Sequence, residues 1–251
     1  MRLIQLSDCH LLAQPESLTR DCNTYHSLSQ CLAHIKSNEP ADAFIFTGDI
    51  SQDGSAASYQ LLNALMGFTH KPVYALPGNH DNAATMRAQL DASCTHSAAL
   101  GAWQILLLDS HVAGAPWGEI GEADLNWLKL CLNTSAGKPT LVAVHHQPMP
   151  VGSQWSDDIG LQNGDQLLCL LKEQPHVKGL IFGHVHQAFD TQFEHIRILG
   201  CPSSCFQFKA AVDEFCVDHT LSPGYRWLEL HDDGSLDTGI GRIDITAPPS
   251  A

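Results

Sequence analysis

Apolar residues in this chain come in short unbroken runs, each ending abruptly in small or polar residues. Residues 2–7, 43–47, 73–76, 103–109, 140–144 and 177–182 are such runs. Short apolar runs closed by turn signals read as strands buried on both faces, the pattern of a parallel sheet. Between them the spacing changes. Leu28, Cys31, Leu32 and Ile35 recur at helical intervals over 27–37, as do Tyr59, Leu62, Leu65 and Met66 over 55–66. Met86 and Leu90 mark another helix, Leu125, Leu128 and Leu132 one over 122–132, and 167–171 a short one. Strand and helix alternating in this way predict an α/β fold.

After residue 186 the alternation stops. Residues 196–199, 203–208, 214–218, 225–230 and 241–245 are β-rich, with glycine and proline between them in place of helices. They predict the antiparallel completion of a second sheet. No repeat, linker or low-complexity tract divides the chain, so the expectation is one domain over 1–245 and a frayed tail over 246–251.

The runs end in a narrow set of residue types. The first leads into Asp8-Cys9-His10, the second into Gly48-Asp49, and the third breaks at Pro77-Gly78 into Asn79-His80-Asp81. Later runs end at His145-His146 and at Gly183-His184-Val185-His186. In α/β folds chemistry collects beyond the carboxyl ends of parallel strands. Residues two apart in extended chain share a face, which predicts that Asp8 works with His10 and His184 with His186. Pro77-Gly78 ends a strand and lets the backbone approach a ligand closely. Each stretch alone also reads as a polar turn; together they suggest ligands converging on Asp49, which would bridge two ions. Carboxylates, imidazoles and one amide oxygen suit Fe, Mn or Zn rather than Ca or Mg. Without thiolates, a closed structural zinc site is disfavoured.

Composition narrows the class. With 44% hydrophobic and 16% charged residues over 251 positions the chain is not disordered. No apolar run approaches the roughly 20 residues of a membrane span. A formal net charge of -14 disfavours nucleic acid or an anionic membrane as partner. The strand starting at residue 2 leaves no signal peptide, and 9 cysteines without a C-x-x-C pair read as reduced thiols, so a cytoplasmic protein is expected. Nothing near Cys201 or Cys205 supports a redox role.

The series D-x-H, G-D, G-N-H-D, H-H and G-H-x-H, in this order over residues 3–186, resembles the calcineurin-like metallophosphoesterase superfamily. The resemblance implies a four-layer αββα sandwich, two mixed β-sheets flanked by helices. It implies that Asp8, His10, Asp49 and His186 hold one metal, and that Asp49, Asn79, His145 and His184 hold the other. His80 would stand near the leaving group. His145 leaves its strand directly and is the expected ligand, with His146 the alternative. Asp81 either orients His80 or caps the following helix, and the cap is preferred.

Segments 104–110, 145–150, 182–187, 202–209 and 223–226 are similar to one branch of that superfamily, the class III cyclic-nucleotide phosphodiesterases, and within it to the bacterial cyclic AMP enzymes. The implied reaction is hydrolysis of 3',5'-cyclic AMP to 5'-AMP by in-line attack of a hydroxide bridging two transition-metal ions, Fe with Mn or Zn. Such cations would also let an acidic protein hold an anionic ester. His80 would protonate the departing 3'-oxygen and Asn79 would steady the developing charge. Substrate would touch Asn79, His80 and His186, with Trp155, Asn163, Phe206 and Gln207 as further candidates. A small-molecule cyclic nucleotide is the expected partner, and a homodimer is left open. The rivals are another ester on the same machinery (a glycerophosphodiester, a linear nucleotide diester or a phosphomonoester) and a non-catalytic scaffold, which typically lacks ligands that are all present here.

Overall fold

In the computed structural model, which describes residues 1–135 and 137–244, each of the six apolar runs forms a strand. The first part of the chain folds as β1 (Arg2–Leu6), α1 (Thr24–Asn38), β2 (Ala43–Thr47), α2 (Ala56–Met66), β3 (Val73–Leu76) and α3 (Ala83–Gln89). Next come β4 (Ser97–Leu100), β5 (Trp103–Leu107), α4 (Glu122–Thr134), β6 (Thr140–Ala143), α5 (Gln154–Asp157), α6 (Gly164–Lys172) and β7 (Val177–Phe182). The chain then gives β8 (Asp190–Phe193), β9 (Ile196–Gly200), β10 (Gln207–Phe208), β11 (Val217–Asp218), β12 (Gly224–Leu230) and β13 (Leu236–Arg242).

Two mixed sheets result, in the orders β13-β12-β1-β2-β3 and β4-β5-β6-β7-β9-β8. In the first, β1, β2 and β3 are parallel while β12 and β13 are antiparallel additions beside β1. In the second, β5, β6, β7 and β9 are parallel, and antiparallel β4 and β8 close the edges.

Strand alternation sets the layers. Along β1, Ile4 and Leu6 face α1 and α2, packing with Leu28, Leu32, Ile35, Tyr59 and Leu62. Leu3 points the other way, into the core between the sheets with Ile45, Ile105, Leu141, Ile181 and Leu228. The far face of the second sheet, with Leu106, Val142 and Leu180, packs on Leu128, Leu132, Leu167 and Leu171 of α4 and α6. Both faces of each sheet are thus apolar, which explains the unbroken runs. Each fully buried aliphatic side chain contributes about 1.5–3 kcal/mol. The outcome is the αββα sandwich. Among the described residues, no helix is long and apolar enough to cross a membrane.

The C-terminal strands differ from expectation. They do not complete one second sheet: β9 extends that sheet in parallel, whereas β12 and β13 cross back to the first. Of residues 203–208, only Gln207 and Phe208 form strand, pairing with β11 in a separate ribbon. Strand β4 (sequence SAAL), strand β8 (DTQF) and the one-turn α5 gave no apolar periodicity to find. The expected tail at 246–251, with residue 245, lies outside the described residues.

Candidate active site

Beyond the carboxyl ends of β1, β2 and β7 the backbone turns left-handed. Asp8, His10, Asp49, His184 and His186 have φ of 53°, 48°, 49°, 65° and 51°. The expected same-face alternation of Asp8 with His10, and of His184 with His186, is therefore not how these pairs converge; both lie past their strands. Non-glycine residues in this region cost on the order of 1–3 kcal/mol each, and such strain gathers at functional sites. Hydrogen bonds hold them there. Asp8 N donates to Gly48 O (3.0 Å) and His10 N to Asp49 O (2.9 Å), so the loops after β1 and β2 stay zipped.

The two sheets meet at this edge. His184 N donates to both carboxylate oxygens of Asp8 (3.1 Å each), and His145, just beyond β6, donates from Nδ1 to Thr47 O (2.7 Å). His186 Nδ1 donates to Phe206 O (2.8 Å) and His80 N to Asp49 Oδ1 (2.8 Å). Gly78 stands where a Cβ would strike the Asp49 carboxylate and come within 2.7 Å of His145 Cε1. The close approach foreseen at Pro77-Gly78 is thus made to the protein's own side chains.

With Nδ1 of His145 and of His186 committed to backbone carbonyls, Nε2 is the nitrogen that each ring turns to the cluster. His145 Nε2 lies 3.1 Å from Asn79 Oδ1 and 3.5 Å from Asp49 Oδ2, and His184 Nδ1 lies 3.0 Å from the same Asn79 oxygen. His186 Nε2 lies 3.1 Å from His10 Nε2 and 3.4 Å from Asp8 Oδ1, and His10 Nε2 lies 3.9 Å from Asp49 Oδ2. Two donors about 2.1 Å from an ion and roughly 90–110° apart would be separated by about 3.0–3.4 Å. The spacings fit two adjoining sets of ligands that share Asp49. The opposite nitrogens, Nε2 of His184 and Nδ1 of His10, are buried without a hydrogen-bond partner, so neither ring is held by a hydrogen bond from behind.

The electrostatics agree. Burial pulls His145 down, but the neighbouring Asp49 and Asp8 carboxylates outweigh it and hold its pKa at about 9. His10 and His184 fall to about 3, chiefly through burial. Burial pushes Asp49 and Asp8 up, but surrounding imidazoles, His145 beside Asp49 and His186 beside Asp8, bring both below the usual carboxylate value. The pocket is poised to take up positive charge.

Other expected site residues divide. His80 is exposed in the cavity, its ring edge-on to His10 at 5.0 Å. Gln52 Nε2 lies 3.0 Å from His80 Nδ1. That contact occupies Nδ1 and leaves Nε2 as the ring nitrogen available to a ligand. Asp81 neither caps α3 nor orients the His80 ring. Asn82 caps the helix, accepting from Thr85 N (2.9 Å). The Asp81 carboxylate accepts from Ser51 N, Ile50 N, Gly78 N and Tyr59 Oη, pinning the loops on either side of the site. Burial and Asp49 raise its pKa to about 6. His146 packs behind the cluster, its ring centroid 4.6 Å from that of His184 and its Nδ1 2.8 Å from Ser110 Oγ.

A cavity of about 280 Å³ opens over the cluster. Trp155 and Phe206 line it; Asn163 and Gln207 do not. Asn163 bonds both backbone groups of Ile120, and Gln207 is held by Ser203 O and Arg242, so both amides are occupied structurally. Seven lining residues went unforeseen: Thr19, Arg20, Gln52, Pro116, Ile159, Phe208 and Phe215. Arg20 lies in a loop without periodicity, Phe208 in a ribbon too short to read and Phe215 in its connection; only the aromatic character of the two phenylalanines was a signal.

Carboxylates and imidazoles set around a shared aspartate, at the joined edges of two mixed sheets, define a metal-dependent phosphoesterase. The chain belongs to the calcineurin-like phosphoesterase family, whose profile matches residues 1–188. It is 39% identical over 245 residues to the 3',5'-cyclic adenosine monophosphate phosphodiesterase CpdA of Pseudomonas aeruginosa, covering 96% of this chain and 90% of that one. It is also 39% identical over 251 residues to CpdA of Escherichia coli K12, covering 98% and 91%. A dimetal phosphatase from Danio rerio shares the fold at a TM-score of 0.65 and 13% identity, over 97% of this chain and 96% of that one.

Proposed function

We propose that this protein hydrolyses 3',5'-cyclic AMP to 5'-AMP using two transition-metal ions, Fe with Mn or Zn. The observation that carries the reading is the pair of donor sets meeting at Asp49 beneath a cavity with an aromatic wall. The near full-length likeness to two enzymes named for cyclic AMP supports the substrate.

Asp8, His10, Asp49 and His186 would hold one ion, and Asp49, Asn79, His145 and His184 the other. Bound there, the ions would supply Lewis acidity and a nucleophilic water at neutral pH. The remaining steps belong to side chains. Asn79 turns its carbonyl oxygen toward His145 and His184, leaving its NH₂ to donate to a phosphoryl oxygen. As the imidazolium, His80 would give its Nε2 proton to the departing 3'-oxygen and keep the proton on Nδ1, with the Gln52 amide at Nδ1 positioning the ring. Phe206 stacks on His10 and His186 at 5.2 and 5.0 Å, walling the cluster from bulk water. A cytoplasmic site of action agrees with the cysteines, all free.

The test is metal content measured alongside hydrolysis of cyclic AMP, cyclic GMP, bis-p-nitrophenyl phosphate and p-nitrophenyl phosphate. The expected result is bound transition metal and the highest kcat/KM on cyclic AMP. Cyclic AMP turned over no better than the generic diester would remove the specific substrate.

A further inference from the structure

Among the described residues, Arg20 is the one lysine or arginine lining the cavity. Its guanidinium carbon lies 4.3 Å from the ring centroid of Phe215 and 5.8 Å from that of Phe206. No carboxylate among the described residues pairs with it, although the chain carries a net charge of -14. The turn presenting it is closed by Thr19 N to Cys22 O (3.0 Å) and Cys22 N to Thr19 O (2.9 Å). Arg20 and Asp21 are both left-handed there, with φ of 50° and 61°. Two successive non-glycine residues in that region are costly, and the turn keeps the guanidinium at the cavity.

Its position decides what it can touch. Phe206 stands between Arg20 and the imidazoles, stacked on His10 at 5.2 Å and on His186 at 5.0 Å. Arg20 is therefore one aromatic ring away from the groups that would take the phosphate. Trp155 and Phe208 continue the wall behind Phe215, with centroids 5.0 Å from its ring. A cyclic nucleotide has a single anionic group, already met at the histidine end, and what extends outward is sugar and base. A guanidinium is planar and weakly hydrated, and it stacks on π faces. With one face on Phe215, it can offer the other to a base.

We propose that Arg20, backed by Phe215, grips the nucleobase of the substrate by stacking and sets the preference for cyclic nucleotides over small diesters. This rests on the phosphodiesterase reading above. Arg20 acts on affinity, not on the reacting bonds.

The experiment compares cyclic AMP with methyl p-nitrophenyl phosphate, whose non-leaving arm is a methyl group, in the wild-type protein and in Arg20→Ala, Arg20→Lys and Phe215→Leu. Metal content is measured in each. For Arg20→Ala, KM for cyclic AMP is expected to rise about tenfold, the scale of one lost stacking contact. The ratio of kcat/KM on cyclic AMP to that on the small diester should fall by a similar factor. Arg20→Lys should not restore the ratio, because an ammonium has no plane to stack, and Phe215→Leu should lower it in part. An unchanged cyclic AMP KM, an equal loss on both esters, or full recovery with lysine would overturn the proposal. Wild-type protein that cleaves the small diester but not cyclic AMP would overturn the substrate reading first, and the role of Arg20 with it.

Discussion

His145 stands with Nδ1 2.7 Å from the carbonyl oxygen of Thr47 and Nε2 3.5 Å from the Asp49 carboxylate. The first contact joins the second sheet to the end of β2 and occupies Nδ1, so Nε2 is the nitrogen left to face the shared aspartate and an ion held there. A hydrogen bond to one ring nitrogen commonly sets the ligand role of the other.

His145 and the adjacent His146 should therefore behave differently on truncation. His145→Ala is expected to lose one metal ion per chain and more than about 100-fold in kcat, since a ligand is gone. His146→Ala removes a ring that packs on His145 and His184. It should keep both ions and lose activity by about 10–100-fold, the usual range for a residue supporting ligands. Metal analysis of the two variants separates the roles; metal lost from the His146 variant alone would reverse the assignment.

Asp81→Asn tests the loop-pinning role. The carboxylate accepts four hydrogen bonds, and the amide would turn an NH₂ toward at least one of those donors. Leaving such a buried donor unmatched costs about 1–3 kcal/mol. The thermal midpoint should drop by several degrees, with α3 keeping its cap at Asn82. A variant as stable as wild type would contradict the role.

These contrasts mark where sequence reading reached and where it stopped. The strands and their terminal Asp and His residues were legible because burial on both faces leaves unbroken apolar runs that end at the site. How the pairs converge was not legible. Asp8 with His10 and His184 with His186 sit in left-handed loops, a conformation that residue type does not announce. Asp81 and Gln207 were misplaced because their partners, Ser51 and Tyr59 for one and Arg242 for the other, are remote in sequence. Strands β12 and β13 show regular alternation, but alternation cannot say which sheet a strand joins.

Metal removal should show in stability as well as in activity. Without cations, Asp8 and Asp49 share a buried pocket in which imidazoles are their ion-pair partners among the described residues. Ions present at about a hundred times their Kd would stabilise the fold by about 2.7 kcal/mol. Dialysis against a chelator should then lower the thermal midpoint by about 5–10 °C and abolish hydrolysis. Mn, Zn or Fe should restore both, and Ca should not. Activity that survives exhaustive chelation would contradict the metal reading.

The contact between Gln52 Nε2 and His80 Nδ1, 3.0 Å, gives the sharpest test of proton delivery. If His80 is the acid, His80→Ala should lower kcat by about 10²–10⁴-fold while both ions remain, because its ring is not needed to complete either set of ligands. Gln52→Leu removes the amide that holds the ring at Nδ1. The cost should be one hydrogen bond, about 1 kcal/mol, or roughly fivefold in kcat, again with metal content intact. The Gln52 effect should also vanish in the His80→Ala background, since the amide acts only through that ring. Equal fivefold losses in both backgrounds would mean that Gln52 works independently of His80. Loss of metal from His80→Ala would make His80 a ligand and end its assignment as the acid.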